Sequence, residues 1–145
     1  MKESRPAVIS LEARISDGSA ENTLPVSMMM TGEIIREGDT DFLVYRESGE
    51  EEETEVHLMI SDQYVTMNRI GNCSTTMMFR KGRRFESEYE TPYGKLEMSV
   101  FPREVRTLRG EDSGEVRLEY EMMMQGKYVS SNVLEVKYSM KGNER

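Results

Sequence analysis

A chain of 145 residues, 37% hydrophobic and 32% charged, has room for one domain built around one core. Its formal net charge of −8 argues against nucleic acid or an anionic membrane surface as a general partner. The single cysteine, Cys73, excludes an internal disulfide, and one histidine beside it makes a poor metal set, so neither metal nor cofactor is expected.

Met1 to Pro6 leads straight into a strand pattern without the apolar stretch of a signal peptide, and no run approaches the roughly eighteen apolar residues of a membrane span. A cytoplasmic protein is the resulting expectation. Period two then dominates the chain, and no amphipathic helix stands out. Ile9, Leu11, Ala13 and Ile15 share one face of the first strand, and Asp17-Gly18 supplies its turn. From Leu24 to Ile35 a long strand groups Leu24, Val26, Met28 and Met30, with Gly32 placed to allow a bend or bulge.

After Glu37-Gly38-Asp39 the pattern resumes at Phe42 to Glu47, and then at Val56, Leu58 and Ile60. The acidic run Glu50 to Glu53 between them reads as a solvated hairpin tip. Tyr64–Ile70 and Ser74–Arg80 are two further strands, and Lys81-Gly82 turns the chain into Arg84–Glu90. Thr91-Pro92-Tyr93-Gly94 is a strong turn signal. Leu96, Met98 and Val100 form the next face, which Pro102 is expected to end, leaving Val105–Arg109 as a separate strand. Val116 to Met124 and a last strand carrying Leu134, Val136, Tyr138 and Met140 complete the set. Short strands joined by turns every 8–12 residues predict an all-β fold, a closed antiparallel up-and-down barrel of about eight to ten strands. The domain is expected over residues 6–140, with flexible ends at 1–5 and 141–145.

Several motifs carry a family likeness: Thr31-Gly32, Tyr45, Met67-Asn68-Arg69-Ile70-Gly71, Met78-Phe79-Arg80-Lys81-Gly82 and Tyr89-Glu90-Thr91-Pro92-Tyr93-Gly94-Lys95-Leu96. In this order they resemble the YwiB-like proteins, small bacterial proteins of unknown function, and the likeness continues through Tyr120 to Tyr138. The resemblance implies a calycin-like barrel, the architecture shared with lipocalins, and implies no activity.

Catalysis is not expected. Alternation puts His57, the only histidine, opposite Val56 and Leu58 on an outer face, away from any nucleophile. Glu86, Glu88 and Glu90 follow one another along one strand face, about 6.8 Å apart, the pattern of a solvated surface and not of a converging pair of acids. The inner face is chemically richer. Tyr45, Arg69, Tyr89, Tyr120 and Tyr138 are expected to point inward among Met28, Met30, Met67, Met98, Met122 and Met124. Methionine is flexible and polarizable, so such a lumen moulds itself to varied ligands. An inward arginine stays charged and needs a carboxylate, a tyrosine hydroxyl or water.

The leading expectation is a non-enzymatic barrel binding a small apolar or amphipathic anion, with Tyr45, Arg69, Tyr89, Tyr120 and Tyr138 as polar contacts and Met67, Met98 and Met122 among the walls. The alternative is a module with a filled core that contacts protein or nucleic acid through the basic hairpin Arg80-Lys81-Gly82-Arg83-Arg84, extended by Arg103, Arg106, Arg109 and Arg117. Eleven acids between Glu33 and Asp62 polarise the charge along the chain. Met29 and Met123 alternate outward and, with Ile35 or Val129, suggest an apolar patch and a homodimer.

Overall fold

The computed structural model describes residues 4–17, 24–48 and 53–141. Over them run ten strands: β1 (Arg5–Ser16), β2 (Leu24–Glu37), β3 (Thr40–Ser48), β4 (Glu53–Ile60), β5 (Val65–Ile70), β6 (Thr75–Phe79), β7 (Phe85–Thr91), β8 (Gly94–Arg109), β9 (Ser113–Met124) and β10 (Lys127–Met140). The chain ends, most of the acidic run Glu50–Glu53, and Gly18 of the first turn lie outside the described residues. No helix among the described residues is long and apolar enough to cross a membrane.

The strands form one antiparallel sheet in the order β6-β5-β4-β3-β2-β1-β10-β9-β8-β7. Every step but one joins consecutive strands, as an up-and-down barrel requires; the exception, β1 against β10, joins the two ends of the strand sequence. The sheet curls until its edge strands meet. Ser74 and Glu90 exchange backbone hydrogen bonds of 2.9 Å in both directions, and the Ser87 hydroxyl donates to the Thr76 carbonyl at 2.9 Å. This seam between β6 and β7 is short, so the barrel is nearly rather than fully closed.

Alternation decides what lies inside. On β3, Asp41, Leu43 and Tyr45 are buried, while Arg46 faces out. On β9 and β10, Val116, Leu118 and Tyr120 stand beside Val136, Leu134 and Asn132 in register, all turned inward. Pro102 does not end its strand. β8 continues through it to Arg109, because a register shift between Pro102 and Glu104 takes up the irregularity as a bulge. Gly32 makes no bulge either. It lies where the β2–β3 ladder stops, at Glu33 opposite Val44, and a Cβ there would come within 2.3 Å of the Val44 carbonyl oxygen. Beyond this point toward the open end, β2 is paired with β1 alone.

The β2–β3, β4–β5, β6–β7 and β8–β9 turns share one end of the barrel, and that end is shut. Ile9, Ile34, Leu43, Val65, Phe79, Val100 and Val116 fill it, each at most 2% exposed. At its rim the fully buried Asp41 carboxylate accepts hydrogen bonds from Arg36 (2.8 and 3.0 Å), Arg109 (3.0 and 3.4 Å) and the Tyr138 hydroxyl (2.7 Å). The same arginines bind backbone carbonyls: Arg36 those of Gly110, Glu111 and Ser113, and Arg109 that of Gly38. The β2–β3 and β8–β9 turns, which are not sheet neighbours, are thereby tied together. Gly114 makes room for the tie, since a Cβ there would lie 2.3 Å from the Tyr138 ring and hydroxyl.

Burial by itself raises the Asp41 pKa, but the hydrogen bonds from Arg36, Arg109 and Tyr138 outweigh it and hold the carboxyl at about 2, below its ordinary 3.8. A folded-state value below the unfolded one stabilises the fold fully above about pH 4, and that stabilisation is lost as pH falls toward 2. It is worth roughly 2 kcal/mol at neutral pH. Asp41→Asn is accordingly expected to cost about 2–4 kcal/mol at pH 7, since two arginines lose their counter-charge. In urea denaturation the gap between wild type and variant should narrow between pH 4 and pH 2.5; a gap independent of pH would contradict the assignment.

Candidate functional site

The opposite end of the barrel, where the β5–β6, β7–β8 and β9–β10 turns lie, is left open by the described residues. Inside it lies a cavity of about 410 Å³. Leu11, Ala13, Met28, Met67, Met77, Met98, Met122, Met124 and Leu134 supply its apolar wall, and Ile15 and Val26 its half-exposed lip. Tyr120 lines the cavity and packs against the fully buried Phe79, with ring centroids 4.8 Å apart and planes tilted by 59°.

Among the described residues lining this cavity only Glu47 and Arg69 are charged, and they are paired: Arg69 Nη2 donates to Glu47 Oε1 at 2.6 Å. Register explains how they meet. Tyr45, Val56, Arg69 and Thr75 form one inward row across β3, β4, β5 and β6, and Glu47 is two residues further toward the mouth on β3. The two long side chains reach each other over Val56. Burial works against the Arg69 charge, but the Glu47 hydrogen bond more than restores it, so its pKa stays above the ordinary arginine value.

The neighbouring phenols feel the same enclosure. Burial pushes Tyr120 up to about 12, with the Arg69 charge opposing the rise. Tyr45 is raised further by burial and by the nearby Glu47 charge, again with Arg69 opposing. Tyr45 is only 2% exposed, and its hydroxyl is fully buried with no hydrogen-bond partner among the described residues. Thr75 donates to the Met98 sulfur at 3.7 Å, and Asn132 donates to the Ser130 hydroxyl at 3.0 Å.

Seven of the eight residues proposed from sequence as lumen contacts line this one cavity: Tyr45, Arg69, Tyr89, Tyr120, Met67, Met98 and Met122. Tyr138 does not. It points inward as its periodicity requires, but six residues past Asn132 on β10 it belongs to the closed end, where its hydroxyl is committed to Asp41. Sequence reasoning missed Glu47, although it continues the inward face of Tyr45 two residues on.

The outer-surface candidates have a different setting. Arg80, Lys81, Arg83 and Arg84 are exposed on the β6–β7 turn at the closed end. Arg80 lies over the Tyr64 ring at 5.6 Å, and Arg84 is 3.6 Å from Glu86. The arginines expected to extend this patch are neutralised instead. Arg103 pairs with Glu121, Arg106 with Glu104, Arg117 with Glu119 and Glu135, and Arg109 turns to Asp41. Glu88 and Glu90 face Lys95 across the β7–β8 hairpin on an exposed surface. His57 is on the outer face with Nε2 2.7 Å from Glu55. Met29 and Met123 form no common patch. Met29 lies beside Ser10, then Lys137 and Glu115 in successive strands, and Glu115 is about 27 Å along β9 from Met123.

Fold and site together define a calycin-like β-barrel, shut at one end and hollow at the other. Residues 9–136 match the family model described as a domain of unknown function (DUF1934), and the chain belongs to that family. Its fold is also that of the crystal structure of the ywiB protein from Bacillus subtilis, with a TM-score of 0.84, 18% sequence identity and coverage of 97% of this chain and 96% of that one. A comparison with the curated proteins gave no match.

Because Phe79 is fully buried and packs against the cavity-lining Tyr120, Phe79→Ala should leave a void there and cost about 3–5 kcal/mol. Denaturant unfolding measures the cost, and a loss below about 1 kcal/mol would mean that the neighbouring side chains collapse into the space.

Proposed function

We propose that the protein is a non-enzymatic carrier or sensor that holds one small amphipathic molecule in its lumen. The observation behind this reading is the cavity itself. At about 410 Å³ it falls in the range of small-molecule sites, roughly 300–1,000 Å³, and its lining is mostly apolar, with both of its charged groups among the described residues, Glu47 and Arg69, on one side. Methionines from β2, β5, β6, β8 and β9 make the wall adaptable, which suits an apolar body without a fixed outline. Arg69, Glu47 and Tyr45 sit together where a polar head would be read.

The head is the part that the pairing changes. Arg69 alone favours an anion, but in the fold it is shared with Glu47, so an anionic head competes with a carboxylate already in place. The outside of the barrel supports a partner less well, because the arginines that would broaden the basic hairpin into a surface are each matched by an acid.

The neutral probe N-phenyl-1-naphthylamine, which brightens in apolar surroundings, should bind with one site per chain. Met122→Trp, filling the cavity from its wall, should weaken that binding at least tenfold while the thermal midpoint moves by only a few degrees. Binding that is absent, or that Met122→Trp leaves unchanged, would reject the lumen as the site.

A further inference from the structure

Resting on that reading, we propose that the lumen selects an apolar molecule with a neutral head group that both donates and accepts hydrogen bonds, such as a primary amide or an alcohol, over the corresponding carboxylate. The inference follows from the charge balance of the cavity. Among the described residues that line it, the two charged ones, Glu47 and Arg69, are opposite in sign and joined at 2.6 Å, so their charges cancel before any ligand enters.

A carboxylate entering there has two courses. It can lie beside the pair and bring an uncompensated negative charge close to Glu47 in a partly enclosed space. Alternatively it can take Arg69 for itself and leave Glu47, only 20% exposed, without its counter-charge. Both are unfavourable, because a charge out of water without a partner is costly. A neutral amide or alcohol meets neither penalty and finds complementary partners. The guanidinium has five N–H donors and uses one on Glu47, and a carboxylate has lone pairs beyond the one taken by Arg69.

The Tyr45 hydroxyl lies behind this pair, buried and without a partner among the described residues, a state that normally costs free energy. A phenol both donates and accepts, so a neutral head group can pair with it where a wall side chain shifts to expose it. Glu47 and Arg69 themselves present an acceptor and donors whose charges cancel.

Competition against bound N-phenyl-1-naphthylamine tests this with three ligands of equal chain length at pH 8: decanamide, 1-decanol and decanoate. Decanamide and 1-decanol are expected to displace the probe at concentrations at least tenfold below that needed for decanoate. Glu47→Gln removes the negative partner and leaves Arg69 charged, so it should reverse the order in favour of decanoate. Decanoate competing as well as the neutral ligands against wild-type protein would overturn the proposal, and this comparison needs no variant. Probe binding that none of the three displaces would overturn it as well, while leaving the lumen as an apolar site. Failure of the probe itself to bind would instead remove the reading on which the proposal rests.

Discussion

The barrel depends on a carboxylate that never meets solvent. Asp41 lies at the start of β3, fully buried, and satisfies its oxygens with two arginines and a tyrosine drawn from three other strands. A curled sheet is held along its ladders by hydrogen bonds between neighbours, but nothing in the ladder fixes one side of the barrel against the other. Arg36 and Arg109 do so here, because each grips Asp41 with part of its guanidinium and a turn carbonyl with the rest. The arrangement is the many-donor geometry that makes arginine, rather than lysine, suited to such junctions.

The same strand repeats the device at its other end. The inward face of β3 reads Asp41, Leu43, Tyr45, Glu47, an acid near each end with apolar and aromatic groups between, and the acids lie about 20 Å apart. Each is matched by arginine from elsewhere, and their settings differ in one respect. Asp41 has three side-chain donors, which suits a structural anchor, whereas among the described residues Glu47 has one and lines the cavity. The pair's charges thus cancel with hydrogen-bonding capacity left over. Where the two halves meet, the cavity-lining Tyr120 rests on the fully buried Phe79.

The fold was legible because alternation, turn residues and the spacing of strands all point the same way. Most of the cavity wall was legible for the same reason: an inward parity, once set, fixes Met67 with Arg69 and Met98 with Val100. What parity cannot supply is height along the barrel axis. Tyr138 and Tyr120 share an inward parity on neighbouring strands, yet one seals the base and the other lines the cavity, and only the β9–β10 register separates them. Partner choice was hidden as well. Glu47 reaches Arg69 across an intervening strand, and Asp41 joins Arg36 within its own hairpin but Arg109 across the barrel, a distance in sequence that local pattern does not see. Pro102 misled because a bulge lets a strand continue past a residue that cannot donate to the ladder.

The placement of the chain ends has an architectural consequence. β1 begins and β10 finishes at the shut end, where Lys141 donates its backbone N–H to the Pro6 carbonyl at 2.9 Å and Met140 donates to that of Asp112 at 2.8 Å. The first and last described strands therefore meet at the pole away from the cavity. With Pro6 and Lys141 this close, a short peptide linker between them suffices to join β10 to β1. The sequence can then be reopened at any of the mouth-side turns without altering the order of strands around the wall, which makes the barrel a natural subject for circular permutation.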